Sequence, residues 1–178
     1  MLPANKEPLI DIGANLTNSA FQHDLDEVIE RAQAVNVAKI IITGTDLASS
    51  EQAAVIAQQH PGRLFSTAGI HPHDAKHYSR EAHSELLSLA KLPQVKAIGE
   101  TGLDFNRNYS PPEQQIKAFE QQLELAIETG LPVFLHEREA HKKQWDILRN
   151  HRDQLSRAVI HCFTGSKQEA FNYLDLDL

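Results

Sequence analysis

The chain has 178 residues, of which 41% are hydrophobic and 23% are charged, which is typical of a single globular domain with a substantial core. Its formal net charge of −7 argues against a protein that coats nucleic acid with a broad basic face, although local contacts or a bound cation can still hold phosphates. No apolar run approaches the roughly 20 residues of a membrane helix, no export signal opens the chain, and the single cysteine excludes an internal disulfide, so we expect one cytoplasmic domain over residues 1–178.

Short β-like runs alternate along the chain with amphipathic helical stretches. The predicted strands cover residues 9–12, 39–43, 64–70, 95–100, 132–136 and 158–161, and the predicted helices cover residues 22–36, 49–60, 80–91, 112–129, 139–151 and 167–174. Strict alternation predicts parallel strands, which leaves two architectures open: a doubly wound open sheet, or a (β/α)8 barrel that lacks two units. The terminal sequence YLDLDL alternates in polarity and predicts the start of a seventh strand.

The helix over residues 112–129 has the clearest sequence signals. Ser110 is predicted to cap its start, with Glu113 three residues later, and Gly130 is predicted to end it. Its apolar face is formed by residues at helical spacing, namely Ile116, Phe119, Leu123 and Ile127.

Polar side chains follow the ends of the third to sixth predicted strands. They are His71 and His73 in AGIHPHD, Glu100 and Asp104 in IGETGLDF, His136, Glu137 and Arg138 in VFLHERE, and His161 in VIHCFTG. Because parallel strands direct their carboxyl ends to one face, we expect these groups to converge there. Imidazole and carboxylate together suit Mg²⁺, Mn²⁺ or Zn²⁺, so the pattern predicts a metal site.

Each of these residues also has a simpler interpretation. A histidine at the end of a strand is usually a hydrogen-bonded loop residue, but His136 and His161 each follow an unbroken apolar run, which favours a ligand role. A carboxylate buried at Glu100 without a partner would cost several kcal/mol or take up a proton, and a cation would remove that penalty. Gly99 and Gly102 are interpreted as letting the backbone crowd close to the site, with a plain tight turn as the alternative. The other histidines are interpreted as surface residues: His23, His60, His77, His83, His141 and His151.

Four segments, AGIHPHD, IGETGLDF, PVFLHEREAH and VIHCFTG, resemble in order and spacing the TatD family of metal-dependent deoxyribonucleases. The resemblance runs from about Leu9 to the last residue. It implies a (β/α)8 TIM barrel of the amidohydrolase-like type, of which this chain covers about six of the eight units. It also implies a divalent cation, most often Mg²⁺, and hydrolysis of phosphodiester bonds in DNA as a 3′-to-5′ exonuclease. We expect single-stranded ends to enter most easily, because duplex ends must first fray, and RNA is the alternative substrate.

The resemblance also implies roles for individual residues. Glu100, His136 and His161 become metal ligands, and Glu100 is counted among the catalytic residues. His71 is the second catalytic residue, with its imidazole facing the scissile phosphate. The implied substrate contacts are His71, His73, Arg107, Arg138 and Asn15.

Two departures from the family pattern are visible. Gly13 and Asn15 stand where many members have a histidine–x–histidine pair, so one tightly held ion is expected rather than two. The aspartate that members carry after strand eight lies beyond the end of this sequence, which indicates a truncated chain. Two alternatives therefore stay open: the same site could hydrolyse an ester or amide, such as an aminoacyl ester on transfer RNA, or the chain could be inactive and complete its barrel with another chain.

Overall fold

The computed structural model describes residues 7–178. The expectation that no export signal precedes the domain depends partly on residues 1–6 and lies outside the described residues. Six strands alternate with six α-helices. The strands are β1 (Leu9–Ala14), β2 (Val37–Ile42), β3 (Leu64–Ala68), β4 (Val95–Asp104), β5 (Val133–Arg138) and β6 (Ala158–Ile160). The helices are α1 (Leu25–Ala34), α2 (Leu47–Gln59), α3 (Arg80–Ala90), α4 (Pro112–Thr129), α5 (His141–His151) and α6 (Lys167–Leu174).

The strand order decides between the two architectures. All six strands are parallel and lie in the order in which they occur along the chain, β1 to β6. A doubly wound sheet reverses direction at a switch point, whereas sequential order curls the sheet toward a closed barrel. The structure is therefore a six-stranded half-barrel with helices between the strands, and the barrel prediction is confirmed.

Two groups of buried apolar side chains fill the space between sheet and helices. The larger group joins β3 to β6 with α3, α4 and α5, and includes Leu86, Phe119 and Leu135, all of which are fully buried. The smaller group joins β2 with α1 and α2 around Ile29 and Ile42. Burial of these side chains at about 1.5–3 kcal/mol each supplies the main favourable term that holds helices to the sheet.

Helix α4 has the predicted bounds, but it begins differently from the prediction. Pro111 occupies the N-cap position and provides no side-chain cap, so the prediction of a Ser110 cap was wrong. Ser110 is fully buried instead, where its hydroxyl donates to the carbonyl of His73 and accepts from the backbone N–H of Lys76. The same hydroxyl that could cap a helix thus connects the start of α4 to the loop after β3.

The alternating tail does not form a strand in the described chain. Tyr173 and Leu174 end α6, and residues 175–177 form a turn that follows it. A capping box at Ser166 and Glu169 starts this helix, and buried Tyr173 packs against the ring of His141. The six residues YLDLDL alternate in polarity, but so short a pattern fits the end of a helix as well as a strand.

Strand β4 is longer than predicted, because it runs through the GETGLD segment to Asp104 instead of ending at Glu100. Among the six histidines interpreted as surface residues, His23 and His77 are exposed, whereas the other four are only partly so. No helix within residues 7–178 is long and apolar enough to cross a membrane.

Candidate metal centre

Two glycines allow β4 to lie unusually close to β5. A Cβ at Gly99 would lie 2.2 Å from the carbonyl oxygen of Phe134, and one at Gly102 would lie 2.0 Å from that of His136. Both glycines also have positive φ angles, 135° and 140°. Gly99 and Gly102 lie within β4 and do not form a tight turn. Because they have no side chains, they leave room for the backbone of β5. This close approach brings Glu100 on β4 next to His136 on β5.

One carboxylate oxygen forms the centre of the site. Oε1 of Glu100 lies 2.6 Å from Nε2 of His161, 3.0 Å from Nδ1 of His136 and 3.5 Å from Nε2 of His71. Ligand atoms of Glu100, His71 and His136 all lie within 4.8 Å of one another. Residues from β4, β5 and the segments after β3 and β6 therefore converge at one rim, as the sequence predicts.

Burial and hydrogen bonding set the charge state of this cluster. Burial alone would raise the pKa of Glu100, but hydrogen bonds from His136, His161 and His71 outweigh it and hold that pKa well below its ordinary value. Burial lowers the pKa of His71, against the opposing effect of Glu100, because the charged imidazolium is disfavoured away from water. Glu100 is thus ionised at neutral pH, and a neutral His71 lies beside it.

The ring of His136 lies between two carboxylates. Its Nδ1 faces Glu100, while its Nε2 lies 3.3 Å from Oδ2 of Asp104. A neutral imidazole has one N–H, so it cannot donate to both carboxylates at once. A cation between Nδ1 and Glu100 would satisfy both nitrogens, because the proton could stay on Nε2 and the lone pair on Nδ1 would face the ion. The donor set therefore fits a divalent metal ion.

His71 is oriented by the loop that follows β3. The backbone N–H of His73 donates to Nδ1 of His71 at 3.1 Å, so neutral His71 carries its proton on Nε2, the nitrogen that faces Glu100. The ring of His71 meets that of His136 edge to face, with ring centroids 4.4 Å apart. His71 therefore presents a hydrogen-bond donor to the same space that the ligand atoms surround.

Buried glutamines, which the sequence analysis missed, hold the backbone of the site. Gln122 bonds both the N–H and the C=O of Ile70, the residue before His71. Gln144 bonds the N–H of Leu103 and the C=O of His136. Gln115 bonds both backbone groups of Asp104. All three glutamines are fully buried, and helical spacing already placed Gln115 and Gln122 on the apolar face of α4, which is the signal that could have revealed them.

The remaining predicted residues lie around this centre rather than in it. Arg107 and Arg138 are exposed, the first in the loop after β4 and the second at the end of β5. Asn15 is exposed just after β1, and a Cβ at Gly13 would lie 3.7 Å from Nδ1 of His161. Glu137 is buried and accepts the N–H of Ala140, so its carboxylate is directed into the loop before α5.

A cavity of about 780 Å³ lies beyond the carboxyl ends of β5 and β6, and the residues that line it do not include Glu100, His71, His136 or His161. It is lined by residues that directly follow the site strands, including Phe105 after β4, Arg138 at the end of β5 and Thr164 after β6. The cavity carries charges of both signs, because Glu137, Arg138 and Lys142 all contribute to its wall. A space of this size and position could hold part of an extended ligand.

The curled parallel sheet and the ligands at its carboxyl rim define a class: barrel proteins with a candidate divalent-metal site at that rim. A family model described as TatD related DNase matches residues 10–178. The chain therefore belongs to the TatD related DNase family, as the sequence motifs indicated.

Individual relatives and solved structures agree with this assignment. A protein named 3'-5' ssDNA/RNA exonuclease TatD from Erwinia tasmaniensis is 52% identical over 161 residues, which cover 90% of this chain and 62% of that protein. A protein of the same name from Klebsiella pneumoniae is 48% identical, with 96% of this chain and 64% of that protein covered. This chain thus spans a little under two thirds of the length of these curated relatives.

The fold of solved family members matches as well. The structure of YJJV, a TatD homologue from Escherichia coli K12, superposes with a TM-score of 0.86 at 29% identity, covering 95% of this chain and 65% of that one. A hydrolase TatD family protein from Entamoeba histolytica gives a TM-score of 0.87 at 30% identity, covering 96% of this chain and 63% of that one. Together with the cluster around Glu100, family membership indicates a divalent-metal site.

Proposed function

We propose that this chain forms the metal-holding part of a 3′-to-5′ exonuclease that hydrolyses phosphodiester bonds in single-stranded DNA or RNA. The proposal is supported by the exonuclease activity for which the relatives are named and by membership in the TatD related DNase family. The observation that carries it is the convergence of three imidazoles from separate segments on Oε1 of Glu100. The chain would form one hydrolase domain, which we expect to act in the cytoplasm.

Glu100, His136 through Nδ1 and His161 through Nε2 would hold the cation. These are the nitrogens that face Oε1 of Glu100, at 3.0 Å and 2.6 Å. When bound, the cation would polarise a phosphoryl oxygen and lower the pKa of a bound water. Carboxylate and water ligands favour Mg²⁺, while the imidazoles also accept Mn²⁺ or Zn²⁺, so we propose Mg²⁺ as the physiological ion.

His71 would act on the substrate rather than on the cation. Its Nδ1 already accepts a backbone N–H, so the neutral ring offers only the Nε2 proton to the site. Burial favours this neutral form by lowering the pKa of His71. A hydrogen bond from Nε2 to a phosphate oxygen would stabilise the negative charge that develops there during hydrolysis.

The substrate contacts proposed around the rim would account for nucleic-acid binding by an acidic chain. Arg138 lines the cavity beyond the ends of β5 and β6, and Arg107 is exposed on the loop after β4, so both are accessible to a phosphate backbone. His73 and Asn15 complete the proposed contacts at the edge of the site. Because the net charge is −7, we expect binding to depend on these local groups and on the cation rather than on a broad basic face.

The decisive experiment replaces His136 with Ala in the whole gene product that carries this chain. We expect Mg²⁺-dependent nucleotide release from the 3′ end of single-stranded DNA to fall about 100-fold or more, because one metal ligand is lost. His23→Ala is the matched control, since His23 is exposed and lies outside the rim. Undiminished release by His136→Ala would overturn the metal assignment. If the unaltered protein hydrolyses a carboxylic ester but not DNA, the nuclease assignment is overturned.

A further inference from the structure

The side chain of Asp104 is not explained by the proposed ligands or substrate contacts. Asp104 is the last residue of β4 and is only 1% exposed. Its Oδ1 accepts the backbone N–H groups of Asn106 and Arg107, at 3.1 Å and 2.8 Å. Its Oδ2 instead faces two imidazoles, with Nε2 of His73 at 2.8 Å and Nε2 of His136 at 3.3 Å. Oδ1 therefore bonds the loop after β4, and Oδ2 faces the two histidines.

We propose that Asp104 is a positioning residue that selects the tautomer of His136 in which the proton lies on Nε2 and the lone pair on Nδ1 faces Glu100. The inference rests on the proposed function, because it concerns the metal ligand that the function requires. Asp104 faces Nε2 of His136, whereas Glu100 faces Nδ1 of the same ring, so Asp104 acts through His136.

The tautomer argument follows from hydrogen-bonding capacity. An ionised carboxylate only accepts hydrogen bonds, so Oδ2 of Asp104 favours an N–H at each Nε2 that faces it. Carboxylates that accept from the far nitrogen of a ligand histidine fix its tautomer and orientation and raise its basicity toward the metal.

Asp104 is itself held in place from two sides. Gln115, fully buried on α4, bonds the backbone N–H of Asp104 at 2.8 Å and its C=O at 3.0 Å. Ser110 donates to the carbonyl of His73 at 2.7 Å, so the second imidazole on Oδ2 is fixed at its backbone as well. Gln115 also donates to the carbonyl of Ser110, which joins both supports. Because Asp104 is held by these hydrogen bonds, its carboxylate can determine which nitrogen of His136 carries the proton.

This arrangement suggests a different use for His73. Its Nε2 is engaged by Asp104, and its backbone N–H orients His71. His73 would thus link the ring that faces the phosphate to the carboxylate that orients the ligand. The predicted substrate contact of His73 would then involve only the edge of its ring that Asp104 leaves free.

The test replaces Asp104 with Asn in the whole gene product. The amide oxygen can still accept the loop N–H groups, but the amide NH₂ then faces His136 and donates where the carboxylate accepted. We expect the lone pair of His136 to move to Nε2, which places a proton on the metal-facing nitrogen. Affinity for Mn²⁺, measured by titration calorimetry, should fall by about 10- to 100-fold.

Two further variants separate tautomer selection from a structural role. Asp46→Asn is the matched control, because Asp46 accepts the N–H of Ser49 at the start of α2 and contacts no histidine among the described residues. We expect it to bind Mn²⁺ like the unaltered protein. Asp104→Ser can still accept a loop N–H without directing an amide NH₂ at His136, so its loss of affinity should be smaller than that of Asp104→Asn. If Asp104→Asn fails to fold, Asp104→Ser decides alone, and an affinity equal to that of the unaltered protein overturns the inference.

Nitrogen-15 NMR of labelled histidines gives a readout that does not depend on activity. In the metal-free protein we expect Asp104→Asn to shift His136 from the tautomer with its proton on Nε2 toward the tautomer with its proton on Nδ1. Unchanged Mn²⁺ affinity and an unchanged His136 tautomer in Asp104→Asn would overturn the positioning role while leaving the proposed function intact. Failure of the unaltered protein to bind Mn²⁺ would overturn the proposed function itself.

Discussion

Strands β4 (VKAIGETGLD) and β1 (LIDIGA) both mix apolar and acidic residues but have very different surroundings. In β4 every residue is buried except Lys96, which is exposed, and Ala97, which is partly buried. In β1 five of the six residues are exposed, and Ile10, for example, retains 56% of its accessible surface. Strand β4 pairs on both sides with β3 and β5, whereas β1 pairs only with β2 in the described chain. The comparison teaches that the candidate metal centre is built where strands on both sides supply partners, because a buried Glu100 needs hydrogen bonds that compensate for the water it loses.

The largest expected effect comes from breaking the close contact between β4 and β5 with Gly102→Ala. A Cβ there would lie 2.0 Å from the carbonyl oxygen of His136, and the φ of 140° is unfavourable for any side chain. We expect the free energy of unfolding, measured by urea denaturation, to fall by about 3 kcal/mol or more through overpacking and backbone strain.

Gly62→Ala is the matched control for this substitution. Gly62 also has a positive φ, 81°, but nothing lies within 4 Å of a Cβ at that position. Backbone strain alone should cost about 1–2 kcal/mol there. Equal losses in the two variants would show that the approach of β4 to β5 adds nothing to stability.

A smaller effect on stability is expected from a change of pH. It tests whether burial on the covered side of the sheet also changes the pKa of a site residue. Burial lowers the pKa of His71 below 6.5, so the unfolded chain binds a proton there that the folded chain resists. The stability of the metal-free protein should therefore decrease as the pH falls below about 6.5, by at most about 1.4 kcal/mol per pH unit from this residue. Urea denaturation at several pH values should show a shallower decrease in His71→Asn, and an identical decrease would refute this origin.

The smallest effect is expected at the exposed strand. Ile10→Ala in the 178-residue chain should change the free energy of unfolding by less than about 0.5 kcal/mol, because its side chain is already in contact with water. Ile98→Ala is the matched comparison on β4, where full burial predicts a loss of about 2–5 kcal/mol. A loss at Ile10 as large as that at Ile98 would mean that another surface covers β1 in solution.

Much of the fold could be predicted because local signals agree with it. The bounds of α4 and α6 were predicted to the residue, and each of the six predicted strands overlaps an observed one. The errors arise where two local patterns compete. Ser110 has the residue type of a helix cap but bonds the His73 loop, and the YLDLDL tail has strand-like alternation but continues α6 into a turn. Such competition is resolved by neighbours that are distant in sequence.

The candidate site also has features that the sequence predicts and features that it does not. That Glu100, His136 and His161 would meet follows from parallel strands, whose carboxyl ends share one rim. The atoms through which Asp104 meets two histidines, and those through which three glutamines bond the site backbone, could not be predicted, since a shared rim or helix face brings residues together without specifying which atoms bond. Asparagine, glutamine and aspartate have no preferred distant partner that a sequence pattern could indicate.

By itself the sequence determined the alternation of strands and helices, the parallel sheet and which polar residues meet at its carboxyl rim, because periodicity and strand direction are local properties of the chain. Only the tertiary structure decided which nitrogen of each histidine faces Glu100, how far β4 extends and which side chains hold Asp104. These features depend on ångström-scale distances between segments that are separated along the chain, from 11 residues between Asp104 and Gln115 to 61 residues between Glu100 and His161. Packing of the whole half-barrel sets those distances, and no local pattern encodes them.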